Sequence, residues 1–214
     1  MPVHHDQLVI LDFDSTLFSV EKFIDDLPNV VEELCDIPAT RFHETYEQAK
    51  KKSGSYNFYD HSTILGISLA DAEHILTPAH FIRDYSYPGL CETIERFKKN
   101  ADMIIWTLGH PRFQNFKKSL ILCIADIPFL AEEKVNERSK GDLPHQIILT
   151  PEHAMYNDKI YKKVVMIDDR PRNFFNNPQS YMRQIRVRYL DGRYSHIETP
   201  AGVEEVTNLT EITV

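Results

Sequence analysis

Two aspartates, Asp12 and Asp14, stand directly after a run of four aliphatic residues at 8–11. Such a run is typical of a strand that is buried on both faces of a parallel sheet. Residues two apart in extended chain share a face, so both carboxylates can reach one point beyond the strand end. Burying carboxylates there is costly unless a cation or hydrogen bonds compensate them. The pair indicates a chemical site, with an acidic cap on an ordinary helix as the open alternative.

Two further apolar runs also end in reactive side chains. The run 103–106 leads to Thr107, and the run 164–167 leads to Asp168 and Asp169. Ligands of doubly wound sheets bind outside the carboxyl ends of the strands, so these residues are expected to meet the first pair. Four carboxylates at one sheet edge need a cation, and ligation by oxygen alone favours Mg²⁺.

Short apolar strands alternate with amphipathic helices along most of the chain, which predicts an α/β protein with a doubly wound parallel sheet. The interval 19–86 departs from this alternation, because its apolar pattern is helical throughout. It is too long for a simple crossover helix and predicts an inserted small α-helical cap. The catalytic core is then expected to comprise residues 1–18 and 87–214.

Individual elements follow from the same patterns. A helix is expected over 20–34 with a break or a fresh start at Pro28. Further strands are expected at 146–149 and 185–190, and the tail from Ala201 is expected to form a last helix on the sheet.

Composition narrows the class of protein. The 214 residues are 42% hydrophobic and 26% charged, as in ordinary soluble domains. The net charge of -8 argues against broad binding to nucleic acid or to anionic membranes. No apolar run approaches the ~20 residues that span a bilayer, and no secretory signal is visible, so a cytoplasmic location is expected. Cys35, Cys91 and Cys123 lack metal-type spacing and are expected to be reduced thiols.

The chain resembles the haloacid dehalogenase (HAD) superfamily, whose members are predominantly Mg²⁺-dependent phosphatases. Residues 12–16 match the first motif of that family, DxDxT, and Thr107 matches the second motif. Residues 164–169 match the fourth motif, and Tyr87-Pro88-Gly89 falls where the family's cap returns to the core. The resemblance implies a HAD-like, Rossmannoid fold with a helical cap.

The resemblance also implies a role for each matching residue. Asp12 is expected to attack phosphorus and form an aspartyl-phosphate. Asp14 is expected to protonate the leaving oxygen and later to deprotonate the hydrolytic water. Thr107, helped by free backbone N–H groups at Leu108 and Gly109, is expected to bind the phosphoryl group.

The implied metal ligands are Asp12, Asp168 and the backbone carbonyl of Asp14, with Asp169 ligating through water or orienting the others. Dehalogenase members of the family lack the second acid, because their leaving group needs no proton, so Asp14 favours phosphoester chemistry. The chain also lacks the Thr-Gly-Asp sequence that ATPase-type members carry after the first motif.

The third motif of the family is a lysine that neutralises the nucleophile and the phosphate. Lys159, shortly before the fourth-motif strand, is the expected residue for the catalytic and phosphate-binding role. Four other lysines compete for it, namely Lys134, Lys140, Lys162 and Lys163. Arg170 follows the acid pair, and two roles stay open for it: contact with phosphate or pairing with a nearby carboxylate.

The expected function is Mg²⁺-dependent hydrolysis of a phosphomonoester, with a small phosphorylated metabolite such as a nucleotide or a sugar phosphate as substrate. One alternative is a polynucleotide end-processing phosphatase, suggested by the sequence at 167–170 but opposed by the acidic net charge. Another is a non-enzymatic phosphoacceptor or binding protein, opposed by the intact first motif and the insertion after it. The sequence leaves the oligomeric state open.

Overall fold

The computed structural model describes residues 5–52, 54–133, 140 and 146–214. Its strands are β1 Gln7–Leu11, β2 Asp102–Leu108, β3 Phe129–Glu132, β4 Ile148–Leu149, β5 Ala154–Tyr156, β6 Lys159–Tyr161, β7 Lys163–Asp168, β8 Met182–Val187 and β9 Glu204–Val206. Its α-helices are α1 Val20–Cys35, α2 Ala39–Lys52, α3 Phe58–Leu65, α4 Leu69–Ile75, α5 Leu90–Lys98 and α6 Pro111–Ser119. None of the described helices is long and apolar enough to cross a membrane.

The main sheet has six strands in the order β3-β2-β1-β7-β8-β9, and every neighbouring pair is parallel. The strand β1 lies inside the sheet, between β2 and β7, and its residues 8–11 are buried. This arrangement confirms the predicted doubly wound parallel sheet, and it brings the carboxyl ends of β1, β2 and β7 side by side.

The predicted strand at 146–149 does not belong to this sheet. Residues Ile148–Leu149 instead form β4 of a small antiparallel sheet with β5 and β6. The place beside β2 is taken by β3, whose short sequence at 129–132 lies between Pro128 and a charged run. A four-residue edge strand contributes too little apolar pattern to be separated from its charged surroundings.

The expected break at Pro28 is absent, because α1 runs without interruption from Val20–Cys35. Pro28 removes one helical hydrogen bond, but the buried stripe of the helix continues on both sides of it through Phe23, Leu27 and Val31. Packing of this stripe offsets the lost hydrogen bond, as tertiary contacts often override local propensity.

Two further expectations are wrong. The tail from Ala201 forms the edge strand β9 and a 3₁₀ turn at Leu209–Glu211 rather than an α-helix. Cys91 and Cys123 form a disulfide with a Cα–Cα distance of 5.5 Å, whereas reduced thiols were expected. The two cysteines lie 32 residues apart in sequence, and only the fold brings α5 next to the turn that follows α6. Cys35 is free.

The segment that contains α1, α2, α3 and α4 leaves and rejoins the sheet at one place. The backbone N–H of Ser19 donates to the carbonyl of Tyr85 at 2.7 Å, and the N–H of Tyr87 donates to the carbonyl of Leu17 at 3.2 Å. These hydrogen bonds lie at the predicted limits of the helical insertion. The division of the chain into a core and a cap stays a prediction.

His61 forms a polar centre inside the helical insertion. Its side chain is fully buried, with Nε2 2.8 Å from the Thr45 hydroxyl and Nδ1 3.0 Å from the Tyr56 hydroxyl. Thr45 donates its own proton to backbone carbonyls of α2, so it accepts from Nε2. The ring is therefore the neutral tautomer with Nδ1 as acceptor, and burial lowers the pKa of His61 to about 4.

This environment predicts a loss of stability in acid. A histidine with a lowered folded-state pKa is fully stabilising above its unfolded pKa, and the contribution is lost as pH falls from about 6.5 toward 4. Between about pH 7.5 and pH 5, His61 should cost the protein about 2 kcal/mol of unfolding free energy. The variant His61→Gln keeps a polar side chain but does not titrate, so its unfolding free energy in urea should depend less on pH. Parallel pH profiles of the two proteins would contradict the neutral assignment.

Candidate functional site

Asp12 is the first residue after β1, where the sheet ends. Its backbone N–H donates to the carbonyl of Ile167 at 2.8 Å, so the pairing of β1 with β7 continues through it. Its side chain is buried, and its Oδ2 accepts a hydrogen bond from the Thr16 hydroxyl at 3.1 Å. The sheet therefore fixes the backbone and Thr16 fixes one carboxylate oxygen.

Asp168 and Asp169 occupy the equivalent place at the end of β7. Asp168 is fully buried, and its carboxylate accepts from the backbone N–H of Arg170 at 2.8 Å and from the Asn173 amide at 3.0 and 3.1 Å. The N–H of Asp169 donates to the Thr16 hydroxyl at 3.0 Å. Thr16 thus bridges the residues that follow β1 and β7.

The three carboxylates of Asp12, Asp168 and Asp169 converge, with one oxygen of each within 4.8 Å of the others. Burial and the charge of Asp168 raise the pKa of Asp12 to about 7. Burial and the neighbouring aspartates also raise the pKa of Asp169 well above its usual range. So concentrated a negative charge at a buried edge requires a positive partner.

Lys140 supplies positive charge at this edge. Its side chain is 1% exposed, and its Nζ lies 2.5 Å from Oδ1 of Asp12 and 2.9 Å from Oδ2 of Asp168. Burial opposes the charged ammonium, but the two carboxylates outweigh burial and the pKa of Lys140 is raised. The sequence named this residue only as a competitor for the third motif.

The structure does not bring Lys159 to the carboxylates. Its Nζ pairs with Asp102 at 2.7 Å, and Asp102 begins β2, so the pair lies at the amino-terminal edge of the sheet. Lys162 and Lys163 are at the same edge, where both backbone N–H groups donate to the carbonyl of Asp6. Lys134 lies outside the described residues. Proximity of Lys159 to β7 in sequence was misleading, because it precedes that strand and Asp168 ends it.

The end of β2 also reaches the site. Thr107 is buried, and both Thr107 and Leu108 line the cavity that contains Asp12. The expectation of a free backbone N–H group at Gly109 is wrong, because this N–H donates to the carbonyl of Glu132 at 2.7 Å. The β2–β3 pairing runs one residue beyond the strand and occupies this donor. A Cβ at position 109 would meet the side-chain amide of Gln114 and displace it, so glycine there leaves Gln114 free to contact Asp14.

The Asp14 carboxylate is held by two residues of α6. It accepts from Nε2 of Gln114 at 2.8 Å and from Nζ of Lys117 at 2.5 Å. The ammonium group of Lys117 is buried and lies 5.2–5.7 Å from the ring centroids of Phe13, Phe18 and Phe113. Burial lowers the pKa of Lys117, while Asp14 opposes that shift. The carboxylate is therefore held by α6 and is not a member of the three-carboxylate cluster.

Sequence reasoning did not single out Gln114, Lys117 or Asn173. A signal exists for the first two, since residues three apart on a helix share a face, and in α6 this face includes the buried Phe113. Polar residues on a buried helix face need partners, and Asp14 is that partner here. Asn173 follows the fourth motif inside a 3₁₀ turn, where no periodic pattern marks it.

Most of the residues described above line one cavity of about 170 Å³, namely Asp12, Asp14, Thr107, Leu108, Gln114, Lys117, Lys140, Asp169 and Asn173. The sheet contributes the end of β1, the end of β2 and Asp169 to its wall. The helical insertion contributes Tyr46, Lys50 and Tyr56 from the other side. A substrate inside would contact the sheet edge and the insertion together.

The donor set suits magnesium. The clustered side chains of Asp12, Asp168 and Asp169 offer only oxygen atoms, which Mg²⁺ prefers. The Asp14 carboxylate is engaged by α6, so from that residue only the backbone carbonyl is left as a candidate ligand. The residues present therefore fit a magnesium ion.

Comparison with solved structures places the fold among haloacid dehalogenase-like hydrolases. A haloacid dehalogenase-like hydrolase from Burkholderia xenovorans superposes with a TM-score of 0.64 at 14% identity, over 99% of this chain and 100% of that chain. A magnesium-bound HAD hydrolase from Bacillus subtilis gives 0.53 at 10% identity, over 97% of each chain. L-2-haloacid dehalogenase from Xanthobacter autotrophicus gives 0.54 at 10% identity, over 95% of each chain.

Sequence comparison adds nothing to this likeness. No protein-family profile matches the chain, and no curated protein matches it. At such low identities the structural likeness establishes the fold alone.

The buried pair of Asp14 and Lys117 predicts a non-additive double-mutant cycle. Asp14→Asn leaves the ammonium unpaired and should lower the unfolding free energy by about 2 kcal/mol, below the range for a wholly buried pair because Asp14 is 30% exposed. Adding Lys117→Met should recover part of that loss. Urea unfolding of both single variants and the double variant measures the coupling.

The exposed pair of Lys98 and Asp126 is the matched control. Asp126→Asn should cost no more than about 0.5 kcal/mol, because an exposed ion pair gains little in water. Effects of Asp14→Asn and Lys117→Met that add to within about 0.5 kcal/mol would show that the two residues do not interact.

Proposed function

We propose that this protein is a Mg²⁺-dependent phosphomonoester hydrolase that acts through an aspartyl-phosphate on Asp12. The observation that carries the proposal is the pairing of each first-motif acid with its own buried lysine inside one cavity. Lys140 contacts Asp12, and Lys117 contacts Asp14. A hydrolase with a nucleophile and a separate acid/base needs two carboxylates in different environments, and the two pairs supply them.

In the first step, an oxygen of Asp12 attacks phosphorus and the bond from phosphorus to the leaving oxygen breaks. Asp14 donates a proton to that oxygen, so the alcohol leaves neutral. In the second step, water attacks phosphorus of the aspartyl-phosphate and gives its proton to Asp14. The acyl-phosphate bond then breaks, and inorganic phosphate and the free Asp12 carboxylate are regenerated.

Lys140 and Thr107 have supporting roles in this proposal. The ammonium of Lys140 offsets part of the rise that burial causes in the pKa of Asp12, and it lies where negative charge collects during transfer. The Thr107 hydroxyl donates to a phosphoryl oxygen at the end of β2. Asp12, Asp168 and Asp169 would hold Mg²⁺, which would supply charge neutralisation for the phosphoryl group.

Asp14 favours phosphoester hydrolysis over dehalogenation. A departing halide needs no proton, so a dehalogenase has no task for a second acid beside the nucleophile. Here the second acid lines the cavity and is held in place by Gln114 and Lys117. The Bacillus subtilis HAD hydrolase of similar fold is bound to magnesium, which supports Mg²⁺ as the proposed cation.

A small phosphorylated metabolite is the proposed substrate. The cavity of about 170 Å³ is smaller than the roughly 300–1,000 Å³ typical of sites for drug-sized ligands. The net charge of -8 also opposes the alternative of a polynucleotide end. A cytoplasmic location and a cap formed by residues 19–86 belong to the same proposal.

The reaction class predicts a metal-dependent activity that Asp12→Asn abolishes. With Mg²⁺, the wild-type protein should release phosphate from p-nitrophenyl phosphate, and the variant should be at least about a thousandfold slower because it lacks the nucleophile. Chloride release from 2-chloropropionate should stay at background in both. Dehalogenation by the wild-type protein without phosphatase activity would overturn the proposal.

The positions of two lysines provide a matched test of the third motif. Lys140→Met should lower kcat/KM for p-nitrophenyl phosphate by about a hundredfold or more, the usual scale for removing one preorganised charge at a reacting group. Lys159→Met makes the same chemical change at the opposite sheet edge and should leave kcat/KM within about twofold. A larger loss of kcat/KM in Lys159→Met than in Lys140→Met would contradict this assignment and favour Lys159 as the third-motif lysine.

A further inference from the structure

We propose that the cavity contains a second anion-binding subsite, formed by Arg170 and Arg193 beside Tyr194. The leaving group of the substrate would then carry a carboxylate or a second phosphate. This inference rests on the proposed function and narrows the substrate class from phosphate esters in general to small esters with two anionic groups.

Charge pairing inside the cavity is the first observation. Two of the cations that line it, Lys117 and Lys140, are paired with the catalytic carboxylates. Lys50 pairs with Glu47 at 3.2 Å. Among the described residues, no carboxylate lies within salt-bridge distance of Arg170 or Arg193, although both line the cavity. These two guanidinium groups are therefore available to an anionic ligand.

The two arginines share one aromatic platform. The guanidinium carbon of each lies 5.4 Å from the ring centroid of Tyr194, which is itself a cavity residue. Stacking on an aromatic face restricts a guanidinium group while leaving its N–H donors free. Such donors bind carboxylate or phosphate oxygens in pairs, which suits a ligand with a planar or tetrahedral anionic end.

A buried arginine fixes this platform to the catalytic edge. Arg186 is fully buried on β8, and its guanidinium group donates to the carbonyls of Tyr194 at 2.5 Å and Asp169 at 3.2 Å. The same group donates to the carbonyl of Ile197 at 2.7 Å and to the hydroxyl of Thr199 at 2.8 Å. The loop that carries Tyr194 is thus held at a set distance from the acid pair.

Arg170 is tied to the same edge through its backbone, since its N–H donates to Asp168 at 2.8 Å. Its side chain is half-buried beside Tyr194, and burial lowers its pKa. On the opposite wall, the rings of Tyr46 and Tyr56 stack at 4.6 Å. The space between this wall and the arginines is where the leaving group of a phosphoryl substrate would lie.

Three esters with the same three-carbon chain test the subsite: 3-phosphooxypropanoate, 3-phosphooxypropanamide and propane-1,3-diol bisphosphate. The amide is the neutral match of the carboxylate, and the bisphosphate carries the alternative anion. With Mg²⁺, the wild-type protein should show a kcat/KM about tenfold or more higher for at least one anionic ester than for the amide, as expected for charge-assisted hydrogen bonds. The anionic ester with the higher kcat/KM shows whether the subsite prefers a carboxylate or a second phosphate.

Arg170→Gln and Arg193→Gln should each reduce this preference for the anionic ester by about tenfold. Arg172→Gln is the matched control, because Arg172 is exposed and does not line the cavity. Neither Arg170 nor Arg193 makes a side-chain hydrogen bond to a described residue, so the variants should fold, which circular dichroism checks. A wild-type protein without preference, or a preference that both variants retain, would overturn the subsite.

Binding of unreactive phosphonates separates this inference from the proposed function. Calorimetry with Mg²⁺ compares 4-phosphonobutanoate with 4-phosphonobutanamide on the wild-type protein and on Arg193→Gln. If the wild-type protein binds 4-phosphonobutanoate more tightly than the amide, and Arg193→Gln removes this difference, the subsite is supported even when no ester is hydrolysed. In that case only the proposed function fails. Equal binding of the two phosphonates, together with equal kcat/KM for the amide ester and both anionic esters, leaves the function intact and overturns the subsite.

Discussion

The structure depends on one electrostatic constraint, the burial of three carboxylates at the edge where β1 and β7 end. Asp12, Asp168 and Asp169 cannot all be ionised there without compensation, because burial and mutual repulsion favour protonation. Lys140 meets part of this demand by contacting two of them. The remaining negative charge is what makes the edge suitable for a divalent cation.

The fold supplies this constraint through the order of its strands. Because β1 lies between β2 and β7 and all three run parallel, their carboxyl ends deliver residues from distant parts of the chain to one place. Thr16 links the two acid-bearing ends. The helical insertion lines the other side of the cavity, and in the proposed function this assigns substrate selection and chemistry to different segments.

Much of the sheet, and the aspartates that the structure brings together in the candidate site, could be predicted from the sequence, because strong local signals coincide there. The apolar runs before Asp12 and Asp168 each predict a buried strand that ends in carboxylates. The edge strand β3 carried no such signal, since a four-residue strand beside a charged run has almost no periodicity. At Pro28 the local signal was strong, since proline usually breaks a helix, but packing along the whole of α1 keeps the helix continuous.

The lysines show where local reasoning stops. Lys159 was favoured because of its position before β7 in sequence, yet it faces Asp102 at the other edge of the sheet. Lys140 lies in a segment without clear periodicity, and only its contacts reveal its place. Lys117 pairs with Asp14 across 103 residues, a distance that no spacing rule covers. Long-range pairing of charges is a property of the assembled fold, so sequence patterns define the strand ends better than they define the cations.

The most direct test of the account is the identity of the residue that becomes phosphorylated. Asp14→Asn should still accept a phosphoryl group from 2,4-dinitrophenyl phosphate, whose leaving group needs no acid, but should hydrolyse the resulting acyl-phosphate slowly. Borohydride reduction during this reaction, followed by peptide mass spectrometry, should find homoserine at position 12. Steady phosphate release with Asp12 unmodified, or a phosphoryl group on a different residue, would contradict the account.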